Sequence, residues 1–89
     1  MKVVITIRGI VVAVGKVAEM IVVQHNDGFS VVELFGDIAE KDDIISGNLD
    51  SEGTEDLYNA TRKEKMSGVI IQACFSTFEQ AHRMISREG

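Results

Sequence analysis

The segment from residue 3 to residue 14 most constrains how this chain can fold, because it is apolar on both faces that a β-strand would present. Only Arg8-Gly9 interrupts it. Val and Ile dominate the segment, and such β-branched residues fit a pleated sheet better than a helix. We therefore predict a long first strand, with Gly9 marking a bulge or bend. One face can enter a core, and the other must be covered within the fold or by a second chain.

The length of the chain limits the number of cores. It has 89 residues, which is enough for one domain spanning residues 1–89 and for one hydrophobic core. A domain this small keeps much of its apolar surface exposed unless a partner covers it. There is no proline, so we expect the turns to be built from Gly, Asp and Asn.

Short apolar segments separated by turn residues predict further strands. Asn26-Asp27-Gly28 is the strongest turn signal and predicts a hairpin. Leu57-Tyr58 is a short apolar pair between polar segments, and residues 61–65 are predicted to be a charged connecting segment. The predicted strands that follow the first are residues 17–25, 29–35, 44–49 and 69–75.

Two loop lengths are compatible with the hairpin. A two-residue Asp27-Gly28 loop places Ile21 and Val23 opposite Leu34 and Val32, whereas a three-residue loop ending in a left-handed Gly28 pairs different residues. The two-residue loop is the favoured prediction.

The chain ends in a helical pattern. Ser76 and Glu79 have the spacing of a capping box, and Phe78, Ala81 and Ile85 share one face of the predicted helix over residues 77–87. A helix of about three turns does not persist alone in water, so its apolar face must dock on a sheet or a neighbouring chain.

The element order predicts a mostly β fold, a five- or six-stranded antiparallel barrel or sandwich with one C-terminal α-helix. The succession of Gly36-Asp37-Ile38, residues 43–47 and Tyr58-Asn59 is similar in rhythm to oligonucleotide-binding-fold and SH3-like barrels. That similarity identifies no family.

Charge and cysteine content restrict the partners and the compartment. The net charge is −5, and residues 37–56 carry eight acidic side chains against Lys41 alone. Without a basic stripe, the sequence argues against nucleic acid and against anionic membranes as partners. Cys74 cannot form an intrachain disulfide. Residues 1–14 are apolar but broken by Arg8 and lack a small-residue cleavage site, so we expect no signal peptide and a cytoplasmic protein.

Candidate catalytic and metal-binding residues are few. His25, His82 and Cys74 lack the spacing of a zinc site, and Cys74 lies in a predicted apolar strand. Residues 48–53 match the start of a calcium-binding loop, but Asn59 stands where a bidentate glutamate is required. We therefore expect no enzyme, no metal and no cofactor.

Two functions from different classes remain open. The first is a non-enzymatic interaction or assembly module that forms a homo-oligomer through apolar β surface. If the terminal helix of the same chain covers the first strand, no second chain is needed for that purpose. The second is a small-ligand or cation-binding β-barrel that uses the acidic turns between Asp37 and Asp56; the sequence does not identify a ligand. The interface predicted for the assembly module consists of Ile10, Val11, Val12, Val14, Phe78 and Ile85.

Overall fold

A computed structural model describes residues 6–15 and 19–86 of the chain, and this part is a closed antiparallel β-barrel with one C-terminal helix. The neighbour order around the barrel is β1-β2-β3-β6-β5-β4, and β4 pairs with β1 to close it. The predicted small barrel with a terminal helix is confirmed, with six strands and a closed sheet. The elements are β1 (Ile7–Val14), β2 (Met20–His25), β3 (Gly28–Glu33), β4 (Ile44–Gly47), β5 (Gly53–Asn59), β6 (Glu64–Phe75) and α1 (Phe78–Ser86).

The core lies inside the barrel and is entirely aliphatic apart from one methionine. Alternate residues of each strand point inward, because successive side chains of a strand face opposite sides of the sheet. The buried residues that share this interior are Val11, Ile21, Val23, Val32, Leu34, Ala39, Ile45, Leu49, Leu57, Met66, Val69 and Ile71.

A second, smaller apolar cluster lies on the outside of the barrel, under α1. Ala81 and Ile85 of the helix pack on Val22 and Val31, and all four side chains are buried. Val12, Ala13, Met20 and Met84 pack against the same cluster. The helix therefore covers much of the second apolar face that the sequence of the first strand required to be hidden.

The irregularity of β1 lies further along the strand than the sequence predicts. The register against β2 shifts between Val11 and Ala13, so both Val12 and Ala13 reach the outer cluster while Val11 stays inside. Gly9 does not mark this bulge; it is required because a larger residue would collide with β2. A Cβ at Gly9 would lie 2.6 Å from both the Gln24 carbonyl oxygen and Val23 Cγ1.

The β2–β3 hairpin has a different register from the favoured prediction. His25 pairs with Gly28, so the two-residue loop is Asn26-Asp27 and Ile21 lies opposite Val32. This register differs by two residues from the predicted one. Because a shift of two preserves the face, Ile21 and Val23 still point into the barrel.

The second half of the barrel contains more strand than predicted. The two apolar residues Leu57-Tyr58 are part of the seven-residue β5. The twelve-residue β6 begins at Glu64, so it includes the last two residues of the segment 61–65 that was predicted as a charged connection. Most side chains in β5 and at the start of β6 are polar, so the alternation of apolar and polar residues that predicts a strand is weak there. Gly68, at φ 68°, adds a bulge that places Met66 and Val69 inside at a spacing of three.

The helix begins one residue later than the predicted cap implies. Thr77 Oγ1 accepts the backbone N–H of Gln80 at 3.3 Å, which makes Thr77, rather than Ser76, the N-cap. The helix ends at Ser86, and the predicted last residue, at position 87, lies outside the described residues. Within the described ranges, no helix is long and apolar enough to cross a membrane.

Candidate functional site

The two ends of the barrel differ in chemistry. At one end, the β2–β3 and β4–β5 loops carry Asp27, Asp50 and Glu52, and the described residues of these loops include no lysine or arginine. We call this the acidic end. The opposite end, where β1 and β3 finish, presents Val14, Phe35 and Ile38, and we call it the apolar end.

The apolar end exposes large hydrophobic side chains that the fold leaves uncovered. Val14, Phe35 and Ile38 are 48%, 54% and 61% exposed. The strand ends that carry them are held together by backbone hydrogen bonds, from Gly15 N to the Met20 carbonyl and from Leu34 N to the Glu19 carbonyl. Several large apolar side chains exposed at one end of a small domain make that end a candidate contact surface.

A shallow depression of about 350 Å³ adjoins Ile38. It lies between Gly36-Asp37-Ile38 and the first residues of β6, Glu64-Lys65-Met66. The apolar end is therefore not flat, and a side chain of a partner can enter this depression.

Charges of both signs surround the apolar end. Acidic and basic side chains come from the loop before β4 and from the β5–β6 turn, so neither sign dominates. This mixture differs from the acidic end, where the described loops carry only carboxylates. The exposed or half-exposed charged residues of the two segments are Asp37, Glu40, Lys41, Asp42, Arg62 and Lys63.

A buried carboxylate holds these two segments together. Asp43 Oδ2 accepts hydrogen bonds from Asn59 Nδ2 at 2.9 Å and from Glu40 N at 3.0 Å, and Arg62 Nε lies 3.3 Å away. Arg62 also pairs with Glu40. Burial by itself raises the pKa of Asp43, but the hydrogen bonds from Asn59 and Glu40 and the Arg62 charge outweigh it, and the pKa lies below its ordinary value of 3.8.

A chain of hydrogen bonds crosses the acidic end. His25 Nδ1 accepts the Asp27 N–H at 3.3 Å, so the imidazole carries its proton on Nε2 and donates it to Ser30 Oγ at 2.8 Å. The Ser30 hydroxyl in turn donates to the Leu49 carbonyl. Ser30 is fully buried and its proton is held by a carbonyl oxygen, so this His–Ser pair lacks the arrangement of an activated nucleophile.

Cys74 borders the same network. Its sulfur lies 3.6 Å from Ser30 Oγ and donates to the Leu49 carbonyl at 3.7 Å. Burial raises the pKa of the Cys74 thiol, the contact with the Ser30 hydroxyl opposes that effect, and the charges of Asp50 and Glu52 add to it. The net result is a raised pKa, which disfavours the reactive thiolate.

Four of the eight acidic residues between Asp37 and Asp56 have partners within the chain. Glu40 and Asp43 contact Arg62, Asp56 accepts the Gly68 N–H and lies 3.9 Å from Lys65, and Glu55 accepts from Asn48. In the described part of the chain, His, Cys, Asp and Glu side chains form no group of three that could hold a metal ion. These contacts give Glu40, Asp43, Glu55 and Asp56 a structural role.

The fold separates the six residues of the predicted interface. Val11 lies in the barrel interior and Ile85 under the helix, so neither offers surface to a partner. Val12 packs against the helix cluster and Ile10 is half-buried. Val14 and Phe78 are exposed, but Val14 belongs to the apolar end whereas Phe78 packs its ring edge-on to Phe29 near the start of α1.

Sequence reasoning missed Phe35 and Ile38. Phe35 was assigned to the third strand, but β3 ends at Glu33, so the ring falls in the connection that follows. The exposure of Ile38 could have been predicted, because it is a large aliphatic residue that follows a Gly-Asp turn within an otherwise polar stretch.

Comparison of the chain with protein-family models, with curated proteins and with solved structures found no match.

Proposed function

We propose that this protein is a non-enzymatic assembly module that forms a homo-oligomer through the apolar end of its barrel. The observation that carries the proposal is the exposure of Val14, Phe35 and Ile38 at one end of the molecule. Full burial of such a side chain from full exposure contributes about 1.5–3 kcal/mol, and these three are about half exposed, so covering them contributes roughly half that amount each.

The distribution of charge favours a second copy of the chain as the partner. Two acidic ends repel each other, whereas the apolar end carries both signs and can complement itself across a two-fold axis. In such a contact the same patch serves both subunits, and an acidic residue such as Asp37 can meet a basic residue such as Lys63 of the other copy. Self-association through the apolar end therefore needs no additional partner.

The interface predicted from the first strand is revised accordingly. Val14 stays in the proposed contact and is joined there by Phe35 and Ile38. Val11 and Ile85 are buried, and the exposed Phe78 packs against Phe29 near the start of α1. The assembly would extend the barrel along its axis.

Oligomeric state tests the proposal directly. Size-exclusion chromatography with light scattering at high micromolar concentration should give a dimer for the wild-type protein. Phe35→Lys and Ile38→Lys should each give a folded monomer, because both side chains are exposed and their replacement leaves the core intact. Tyr58→Lys is the matched control, since Tyr58 is 43% exposed on the side of the barrel and should leave the dimer unchanged. A wild-type monomer at that concentration would contradict the proposal.

A further inference from the structure

His25 uses both of its ring nitrogens in one chain of hydrogen bonds at the acidic end. Nδ1 accepts the backbone N–H of Asp27 at 3.3 Å, and Nε2 bonds to Ser30 Oγ at 2.8 Å. The Ser30 hydroxyl spends its own proton on the Leu49 carbonyl, so it must accept from Nε2. The arrangement therefore requires the neutral imidazole with its proton on Nε2.

Protonation of the imidazole would act on these two bonds in opposite ways. Nε2–H would remain a donor to Ser30, and the positive charge would strengthen that bond. Nδ1 would gain a hydrogen and could no longer accept, so it would face the Asp27 N–H as a second donor. The bond between His25 and the Asp27 backbone is therefore incompatible with the charged imidazole.

The β2–β3 turn is anchored on one side only. Asn26 and Asp27 are exposed, whereas Gly28 lies against the end of β6, where a Cβ would collide with the Phe75 carbonyl. The movement that protonation requires therefore falls on Asn26-Asp27. The carboxylate of Asp27 is a group on this segment that can accept the new Nδ1–H in a charge-assisted hydrogen bond.

Titratable side chains surround this part of the acidic end on several elements. They are Asp27 of the turn, Cys74 of β6, and Asp50 and Glu52 of the β4–β5 loop. Arg8 is the one charged residue of β1 and is exposed. The described residues of the two loops carry no lysine or arginine, so a proton taken up by His25 would place a positive charge among carboxylates.

We infer that the β2–β3 turn is a pH-dependent switch, closed while the Asp27 N–H bonds to neutral His25 and open when the imidazole carries a second proton. Histidine is the side chain that ordinarily changes its charge between about pH 8 and pH 5. The switch alters the shape and charge of the acidic end while the link from Ser30 to Leu49 stays in place. It uses residues outside the apolar end and does not depend on self-association.

Nitrogen-15 NMR of the whole chain tests the switch between about pH 8 and pH 5. At the higher pH, Nδ1 should have the chemical shift of an unprotonated nitrogen and should show a scalar coupling, through the hydrogen bond, to the Asp27 amide nitrogen. At the lower pH this coupling should vanish. Exchange of the Asp27 amide proton with water, relative to its intrinsic rate, should be about fivefold faster, the factor expected for one lost hydrogen bond. The protection of the Ser30 amide should not change.

The chain has two histidines, so substitution of each assigns the effect. His82→Gln leaves His25 as the single histidine and should keep the full pH dependence, because His82 is exposed on α1. His25→Gln should abolish the pH dependence, because the glutamine amide does not titrate. If His25→Gln does not fold, His82→Gln alone still decides the assignment.

The role of the Asp27 carboxylate has its own variant. Asp27→Asn keeps the backbone N–H but removes the charge, and should lower the pH at which the coupling vanishes by about half a unit, the shift expected for one partly exposed ion pair. Asp37→Asn removes the same charge at the opposite end and should leave that pH unchanged.

Four results would each overturn the inference. They are a protonated Nδ1 or an absent coupling at the higher pH, an imidazole that stays neutral at the lower pH, a charged imidazole with unchanged protection of the Asp27 amide, and loss of the pH dependence in His82→Gln.

Discussion

The Ser30 hydroxyl donates a hydrogen bond to the carbonyl of Leu49, joining β3 to the β4–β5 loop across the acidic end. The same hydroxyl accepts from His25 Nε2 at 2.8 Å. One buried oxygen of β3 therefore bonds a side chain of β2 and a backbone carbonyl of the β4–β5 loop. The network links β2, β3 and this loop at the acidic end of the barrel.

Removing that hydroxyl should destabilise the protein. Ser30→Ala leaves the buried His25 N–H without its acceptor, and an unsatisfied buried polar group costs about 1–3 kcal/mol. Urea unfolding should show a lower midpoint with an unchanged slope. Ser67→Ala is the control, since Ser67 is exposed on β6 and its loss should change the free energy of unfolding by less than about 0.5 kcal/mol. Equal effects of the two substitutions would show that the network does not contribute to stability.

A second prediction concerns the buried carboxylate at the opposite end. Asp43→Asn should lower the free energy of unfolding at neutral pH by about 2 kcal/mol, because charge-assisted hydrogen bonds to Arg62, Asn59 and Glu40 are weakened. Asp42→Asn changes the same charge at an exposed position with φ 79°, which asparagine tolerates, and serves as the control.

The pH dependence follows from the direction of the shift. The pKa of Asp43 is lower in the folded than in the unfolded chain, so its contribution is complete above the ordinary value of 3.8 and is lost as the pH falls through the folded value. The difference in stability between wild type and Asp43→Asn should therefore shrink below pH 3.8. A difference that stays constant down to full protonation would show that the carboxylate contributes through its shape and not through its charge.

The sequence predicted the first half of the fold better than the second, for a physical reason. In β1, β2 and β3 the inward and outward faces are both apolar or alternate clearly, because α1 covers part of the outside. β5 and the start of β6 bury only isolated residues such as Leu57 and Met66 and expose charged ones between them. A pattern with so few apolar residues resembles a loop.

The candidate sites were less predictable still. The residues of β1 and β4 that lie next to each other depend on the register in which the barrel closes, and no local signal encodes that register. The apolar end depends on β3 ending at Glu33, two residues before Phe35. A strand ends where the neighbouring strand no longer provides backbone hydrogen bonds. That point depends on the assembled barrel and not on the local sequence.

A further prediction concerns the close packing of β1 against β2 at Gly9. Gly9→Ala should destabilise the fold by about 1–3 kcal/mol, because the added methyl group would collide with the Gln24 carbonyl and the Val23 side chain. Arg8→Ala alters the adjacent outward-facing residue and should change stability by less than about 0.5 kcal/mol. Thermal unfolding of the two variants measures the difference. A neutral Gly9→Ala variant would mean that β1 and β2 can separate locally without loss of stability.

The last prediction concerns the thiol of Cys74 and bears on whether the acidic end has catalytic chemistry. Because the pKa of this thiol is raised, alkylation by iodoacetamide near pH 8 should be slower in the native protein than in the urea-unfolded chain. Asp50→Asn combined with Glu52→Gln removes two exposed negative charges that disfavour the thiolate, and should increase the native rate without changing the unfolded one. Mass spectrometry of the alkylated protein gives both rates. A native rate above that of the unfolded chain would reveal an activated thiolate beside His25 and would argue for an enzyme instead of an assembly module.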